Sequence, residues 1–336
     1  INDGKGKFSN QTKSAGLEVH KIGSTSVAMG DIDSDGDLDI YVTNYGETSV
    51  LRSGGKVTVR TINGKQVVTG RYFNRIRIVK GNFVEVGEPD FLYLNDGSAK
   101  FEKVDWLDGN WLDEVGKPIK KEFWDLGLSV MIRDINQDGL PDIYNCNDFQ
   151  TPDRLWINKG NGKFQLVNEM AIRHRSYFSM AVDFADINRD GNDDFFVADM
   201  ISPKHLLEMT QIGVTNPFAK PIDESIDRPI IHRNTLYVNR GDNTYMETAN
   251  YSGVAATEWT WGSTFMDVDL DGLEDLLIAN GHAFDTQDLD TIERTSKLGS
   301  LPVSQSRKKV FLFPPLAVPN MIYRNAGNLQ FNEVGT

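Results

Sequence analysis

"DINQDGLPDIY", residues 134–144, alternates polar and acidic positions directly before an apolar stretch. So many carboxylates within a few ångströms repel one another unless something of opposite charge sits among them. The nine-residue pattern recurs without gaps as "DIDSDGDLD" (31–39), "DINQDGLPD" (134–142), "DINRDGNDD" (186–194) and "DVDLDGLED" (267–275). Self-similarity of this kind marks a repeat architecture and is read before anything else.

A second element alternates with the first: "LYLNDGSAKF" (92–101), "LWINKGNGKF" (155–164), "LYVNRGDNTY" (236–245) and "IYRNAGNLQF" (322–331). A fifth copy, "INDGKGKF" (1–8), lacks its beginning. The shortest complete unit, Asp134 to Asp186, is 52 residues. The longer ones carry extra chain at one fixed place, between the stretch after the acidic loop and the next L-Y-x-N.

Each unit reads as four short strands: a small or apolar stretch before the loop, an apolar stretch after it, L-Y-x-N, and a strand around the aromatic. Short strands rich in Ile, Val, Phe and Tyr between Gly, Asn and Asp turns predict all-β structure. Four strands per repeat of about 50 residues predict a β-propeller of four-stranded blades with Ca²⁺-binding loops. A solenoid is the alternative. Residues 1–336 are taken as a single propeller region: a half blade at 1–12, then blades at 13–105, 106–168, 169–249 and 250–336. Insertions fall at 51–90 (strand-rich), 201–234 and 283–319. Both ends fall in or just after a repeat motif, so a slice of a longer protein is expected.

Loop positions 1, 3, 5 and 9 carry oxygen side chains in every copy. They are Asp31, Asp33, Asp35 and Asp39; Asp134, Asn136, Asp138 and Asp142; Asp186, Asn188, Asp190 and Asp194; and Asp267, Asp269, Asp271 and Asp275. Position 7 varies as Asp37, Leu140, Asn192 and Leu273, as expected if only its backbone carbonyl serves. Position 6 is always Gly, which turns the chain at positive φ without steric cost. Alternating hard oxygen donors around a Gly turn describe a Ca²⁺ site, and about four ions are expected. The first and last loops, with the larger carboxylate count, are expected to bind more tightly. An EF-hand is excluded, because position 12 holds Val42, Asn145, Val197 and Ile278 instead of an acid.

The formal net charge is −13, and no basic face for nucleic acid is evident. The one cysteine, Cys146, allows no intrachain disulfide; it reads as a buried small hydrophobe. The longest apolar run, "VFLFPPLAV" (310–318), is too short to span a bilayer, and prolines break it. No signal peptide is visible.

D-x-[DN]-x-D-G-x-x-D alternating with L-Y-x-N-x-G-x-x-x-F resembles the FG-GAP/VCBS-type repeats of integrin-like β-propellers. The nearer resemblance is to bacterial relatives of cartilage acidic protein, a group often carrying an ASPIC/UnbV domain. "WTWGSTFMDVDLDGLEDLLIANGH" (259–282) and "GLSVMIRDINQDGLPDIYNCNDFQTPDRLWIN" (127–158) look typical of it. The resemblance implies a Ca²⁺-stabilised propeller, usually seven-bladed, in a secreted or surface-exposed protein without catalytic chemistry.

None of His20, His174, His205, His232 and His282 forms a metal-ligand pair, and no nucleophile elbow or phosphate loop is present. Trp259 and Trp261 are expected to pack between blades; stacking on sugar rings is the other reading. The long insertions are the expected carriers of function, and "KKVFLFPPLAVP" (308–319) is a candidate docking segment. The expected function is therefore non-enzymatic: an adhesive propeller binding a protein or polysaccharide at the cell surface. A self-associating subunit of a surface assembly and a polysaccharide-active enzyme are the alternatives.

Overall fold

A computed structural model describes residues 1–17, 22–47, 49–50, 56–79, 81–149, 151–211, 229–299, 301 and 303–335. His20 and residues 212–228 of the 201–234 insertion lie outside the described residues. The fold is all-β and propeller-like. Among the described residues it contains four blade sheets, each built on four antiparallel strands in chain order, besides three two-stranded sheets.

Blade 1 comprises Ser24–Gly30, Asp39–Asn44, Phe91–Asn95 and Phe101–Lys103. Blade 2 comprises Gly127–Arg133, Asp142–Asn147, Arg154–Asn158 and Phe164–Leu166. Blade 3 comprises Ala181–Ala185, Asp194–Ala198, Thr235–Asn239 and Tyr245–Glu247. Blade 4 comprises Glu258–Met266, Asp275–Asn280, Met321–Asn325 and Phe331–Glu333. The two-residue strands Trp111–Leu112 and Met200–Ile201 extend the sheets of blades 2 and 4.

The first strands of the blades pack side by side in series: blade 1 on 2, 2 on 3, and 3 on 4. That close approach explains their small residues. A Cβ on Gly127 would lie 2.9 Å from the Thr43 Cβ of the neighbouring blade.

In blades 2 and 3 the second and third strands are buried on both faces, because each of these blades is sandwiched between two neighbours. Their side chains alternate with period two, one neighbour to the next. Ile143 and Trp156 join Tyr41, Leu92 and Trp111 between blades 1 and 2. Tyr144, Cys146 and Leu155 face the other way, onto Phe184, Phe195 and Tyr237 of blade 3. Phe196, Ala198 and Leu236 repeat the pattern against Leu276 and Tyr323 of blade 4. Cys146 is fully buried, and burial pushes its thiol pKa well up. Continuous apolar runs after the acidic loops are thus the mark of strands with two apolar faces.

Residues within 56–85 form two hairpins, Thr58–Ile62 with Lys65–Thr69 and Ile76–Val79 with Asn82–Glu85. They sit over a small cluster of Val50, Val68 and Ile76. The 283–319 insertion holds the helix Leu289–Ser296 and the 3-10 turn Arg307–Leu312. Within the candidate docking segment, Leu316 and Val318 pack against the protein's own Phe178 and Trp259 region, while Phe311 and Leu312 remain exposed. Among the described residues no helix is long and apolar enough to cross a membrane.

Candidate metal centre

Every candidate ligand lies in the loop joining the first and second strands of a blade or, at position 9, on the first residue of the second strand. All four loops are therefore at the same end of the strands. Their internal geometry repeats. The position-1 carboxylate closes the loop on itself: Asp134 accepts from the amides of Asp138 at 3.1 Å and Gly139 at 2.9 Å. Asp31, Asp186 and Asp267 make the same pair of bonds. The position-5 carboxylate accepts from the position-7 amide: Asp35 from Asp37, Asp138 from Leu140, Asp190 from Asn192, and Asp271 from Leu273. Position 7 thus donates its backbone amide in every loop, whatever its side chain.

The position-6 glycines lie at φ between 87° and 96°. Position 4 is also left-handed, at 58–63°, yet holds Ser34, Gln137, Arg189 and Leu270. Non-glycine residues rarely adopt that conformation, and at Leu270 nothing polar in the side chain compensates for it.

In the first loop, one oxygen each from Asp31, Asp33 and Asp39 lies within 4.8 Å of the others; Asp267, Asp269 and Asp275 form the matching group in the last. Burial and the neighbouring Asp35 carboxylate push Asp33 above its ordinary pKa. The buried Asp37 Oδ1 finds no hydrogen-bond partner among the described residues. In the second and third loops, Asn136 and Asn188 each bond the position-5 carboxylate. In the last loop, Arg324 places its guanidinium on Asp269 at 2.6 Å and Asp271 at 2.9 Å. The other blades have Leu94, Ile157 and Val238 at that motif position. Adjacent loops also touch: Arg133 bonds Asp193 at 2.5 and 3.1 Å, and Arg189 lies 3.4 Å from Glu274.

The position-9 aspartates play a second part. Asp39, Asp142, Asp194 and Asp275 are fully buried. One oxygen of each accepts from the position-2 amide, at 2.8–3.2 Å. The other accepts from the amide of the L-Y-x-N asparagine: Asn95, Asn158, Asn239 or Asn325, at 2.8–2.9 Å. Burial pushes Asp142 and Asp194 up to about 7 against the pull of those amides. The asparagines reciprocate by donating Nδ2–H to the position-8 carbonyls. Asn158 and Asn325 also reach across to the preceding blade, donating to the Ile32 and Ile187 carbonyls at 2.8 and 3.0 Å. The two sequence elements alternate because they are halves of one fastening.

Sequence reading missed a further set of residues, five positions before each motif asparagine: Asp90, Asp153, Asn234 and Asn320. Each accepts from the amide near the far end of the second strand: Asn44, Asn147, Asp199 or Asn280, at 2.7–2.9 Å. The constant offset of five was the available signal. Asp90 is buried and also accepts from Tyr41 and Asn145; burial, aided by Asp125, pushes it up to about 8. The sign follows from proton counts. Between an ordinary aspartate pKa and about 8 the folded state holds a proton that the unfolded chain has released, so stability falls as pH rises. Asp90→Asn, which installs the residue already used in blades 3 and 4, is expected to flatten this slope. Asn145 Oδ1, unpartnered among the described residues, stands ready to accept from the new amide. Melting curves from pH 5 to 8 check it; an unchanged slope would assign the pH dependence to other groups.

These repeats are of the FG-GAP class. Residues 134–197 match the FG-GAP-like repeat family and residues 24–59 the FG-GAP repeat family. No curated protein matches the chain. Among solved structures, an Agrocybe aegerita lectin described for its specific recognition of non-reducing terminal N-acetylglucosamine aligns over 99% of this chain and 72% of its own. It does so at 14% identity and a TM-score of 0.35, and says nothing about what this chain binds.

Proposed function

We propose that this chain is a non-enzymatic, Ca²⁺-stabilised propeller, secreted or on the cell surface, that binds a protein or polysaccharide partner. The observation that carries the reading is the four-fold repetition of an all-oxygen loop, with two sets of three carboxylates drawn within 4.8 Å. Hard oxygen donors in that number suit Ca²⁺ and suit softer metals poorly. The side chains at positions 1, 3, 5 and 9 and the position-7 carbonyl would hold it. Bound there, the ion would supply positive charge among mutually repelling carboxylates. Arg324 already supplies part of that charge in the last loop, so Asp31, Asp33, Asp35 and Asp39 form the strongest of the four sites in this reading.

The reading is tested by pull-down from native surface extract, run in parallel with millimolar calcium and with chelator. A partner or glycan retained only with calcium supports it. Recovery of the chain alone would overturn it in favour of a self-associating assembly subunit.

A further inference from the structure

The strand ends opposite the acidic loops converge on a cleft of about 650 Å³. That volume is ordinary for a small-ligand site, roughly 300–1,000 Å³. All four blades contribute to it, with Tyr45, Phe149, Met200 and Trp261 among the lining residues. The metal reading makes no use of it.

Three features set its lining apart from ordinary surface. Trp261 is 49% exposed, yet its indole Nε1–H donates to the Gly281 carbonyl at 2.6 Å, which fixes the ring in one orientation. Trp259 is buried and stacks on His282 at 4.5 Å and 17°, and its Nε1–H has no partner among the described residues. Gln287 is also buried; its amide donates to the Met200 carbonyl, while its Oε1 accepts from nothing described. An orphaned donor and an orphaned acceptor, both shielded just beneath the lining of one cleft, are costly while they stay unpaired. Phe149, in the same lining, is held at φ 54°, a strained conformation for a bulky residue and of the kind that collects at functional sites.

The lining carries little charge for a ligand to meet. Its carboxylate, Asp148, already accepts from the Tyr45 hydroxyl at 2.8 Å and the Phe149 amide at 3.0 Å. The His282 Nδ1 is engaged with the Phe284 carbonyl. Among the described residues no lysine or arginine lines the cleft. A neutral ligand with one apolar face and a rim of hydroxyls fits this set. Its C–H face covers an aromatic ring, and hydroxyls both accept and donate.

Resting on the reading of the chain as a binding module, we propose that the cleft binds a neutral pyranose stacked on Trp261. Trp259 Nε1 and Gln287 Oε1 are shielded from water in this structure, so the lining shifts as the sugar enters, and then one hydroxyl accepts from the first and another donates to the second. Ligand-observed NMR with the methyl glycosides of glucose, galactose, mannose and N-acetylglucosamine, and their short oligomers, tests it in calcium buffer. At least one is expected to give a saturable signal. Trp261→Ala should weaken it by about tenfold or more with an unchanged melting temperature, and Gln287→Ala should weaken it similarly. No saturable signal with any of these sugars, or a signal unmoved by both variants, overturns the proposal. Calcium-dependent retention of a partner by parent and Trp261→Ala alike would also overturn it, while leaving the binding-module reading standing.

Discussion

Chelating calcium is expected to lower the melting temperature of this protein by on the order of 10 °C or more. A ligand at a hundredfold excess over its dissociation constant stabilises the folded state by about 2.7 kcal/mol per site. A chain of this size shifts by roughly 2 °C for each kcal/mol. Four loops of the same build therefore add to a large effect even if one or two are weak. The absence of the ion also leaves carboxylates such as Asp31, Asp33 and Asp39 facing one another at short range. Thermal unfolding followed by circular dichroism, with calcium and with chelator at matched ionic strength, decides it. Superimposable curves would sink the cation-cage reading.

The second large effect separates two jobs inside one loop. Asp142→Ala is expected to destabilise by roughly 2–5 kcal/mol with or without calcium, because it strands two buried amides. Those are the Ile135 and Asn158 N–H groups, which both end on its carboxylate. Asp138→Ala is expected to matter mainly when calcium is present, because its carboxylate is exposed and its amide contact is to a solvent-facing loop. Denaturant unfolding of both variants in both buffers gives the comparison. If the Asp142→Ala penalty disappears in chelator, the aspartate is a ligand and nothing more.

Much of this architecture was legible in the chain. The acidic loops and the L-Y-x-N element announced themselves by recurring in alternation, and the apolar runs between them became the doubly buried strands of blades 2 and 3. What spacing could not convey was that the asparagine and the ninth loop residue bond to each other. Their separation varies from 16 residues, Asp142 to Asn158, to 56, Asp39 to Asn95, so no local window holds both. The left-handed backbone at Leu270 was hidden because its side chain gives no hint of it. Trp259 and Trp261 were expected between blades. Trp259 is buried, but Trp261 stands half in solvent, because its neighbour on the far side is a cleft. That cleft draws residues from Tyr45 to Gln287, and only the packing of the blades in series brings them together.

The bond at the far end of the second strand has a consequence for how such a chain can change. In the four blades it joins residues 46, 6, 35 and 40 positions apart. The departing and returning chain are fastened by the same contact whether a tight turn or a pair of hairpins lies between. Lengthening a closed loop costs little, about 0.6 kcal/mol for each doubling. Each blade therefore has a socket at which foreign segments can be exchanged while the blade keeps its own register. The sockets sit at the cleft end of the strands, so new chain arrives beside the concave surface and away from the loops that hold the scaffold together.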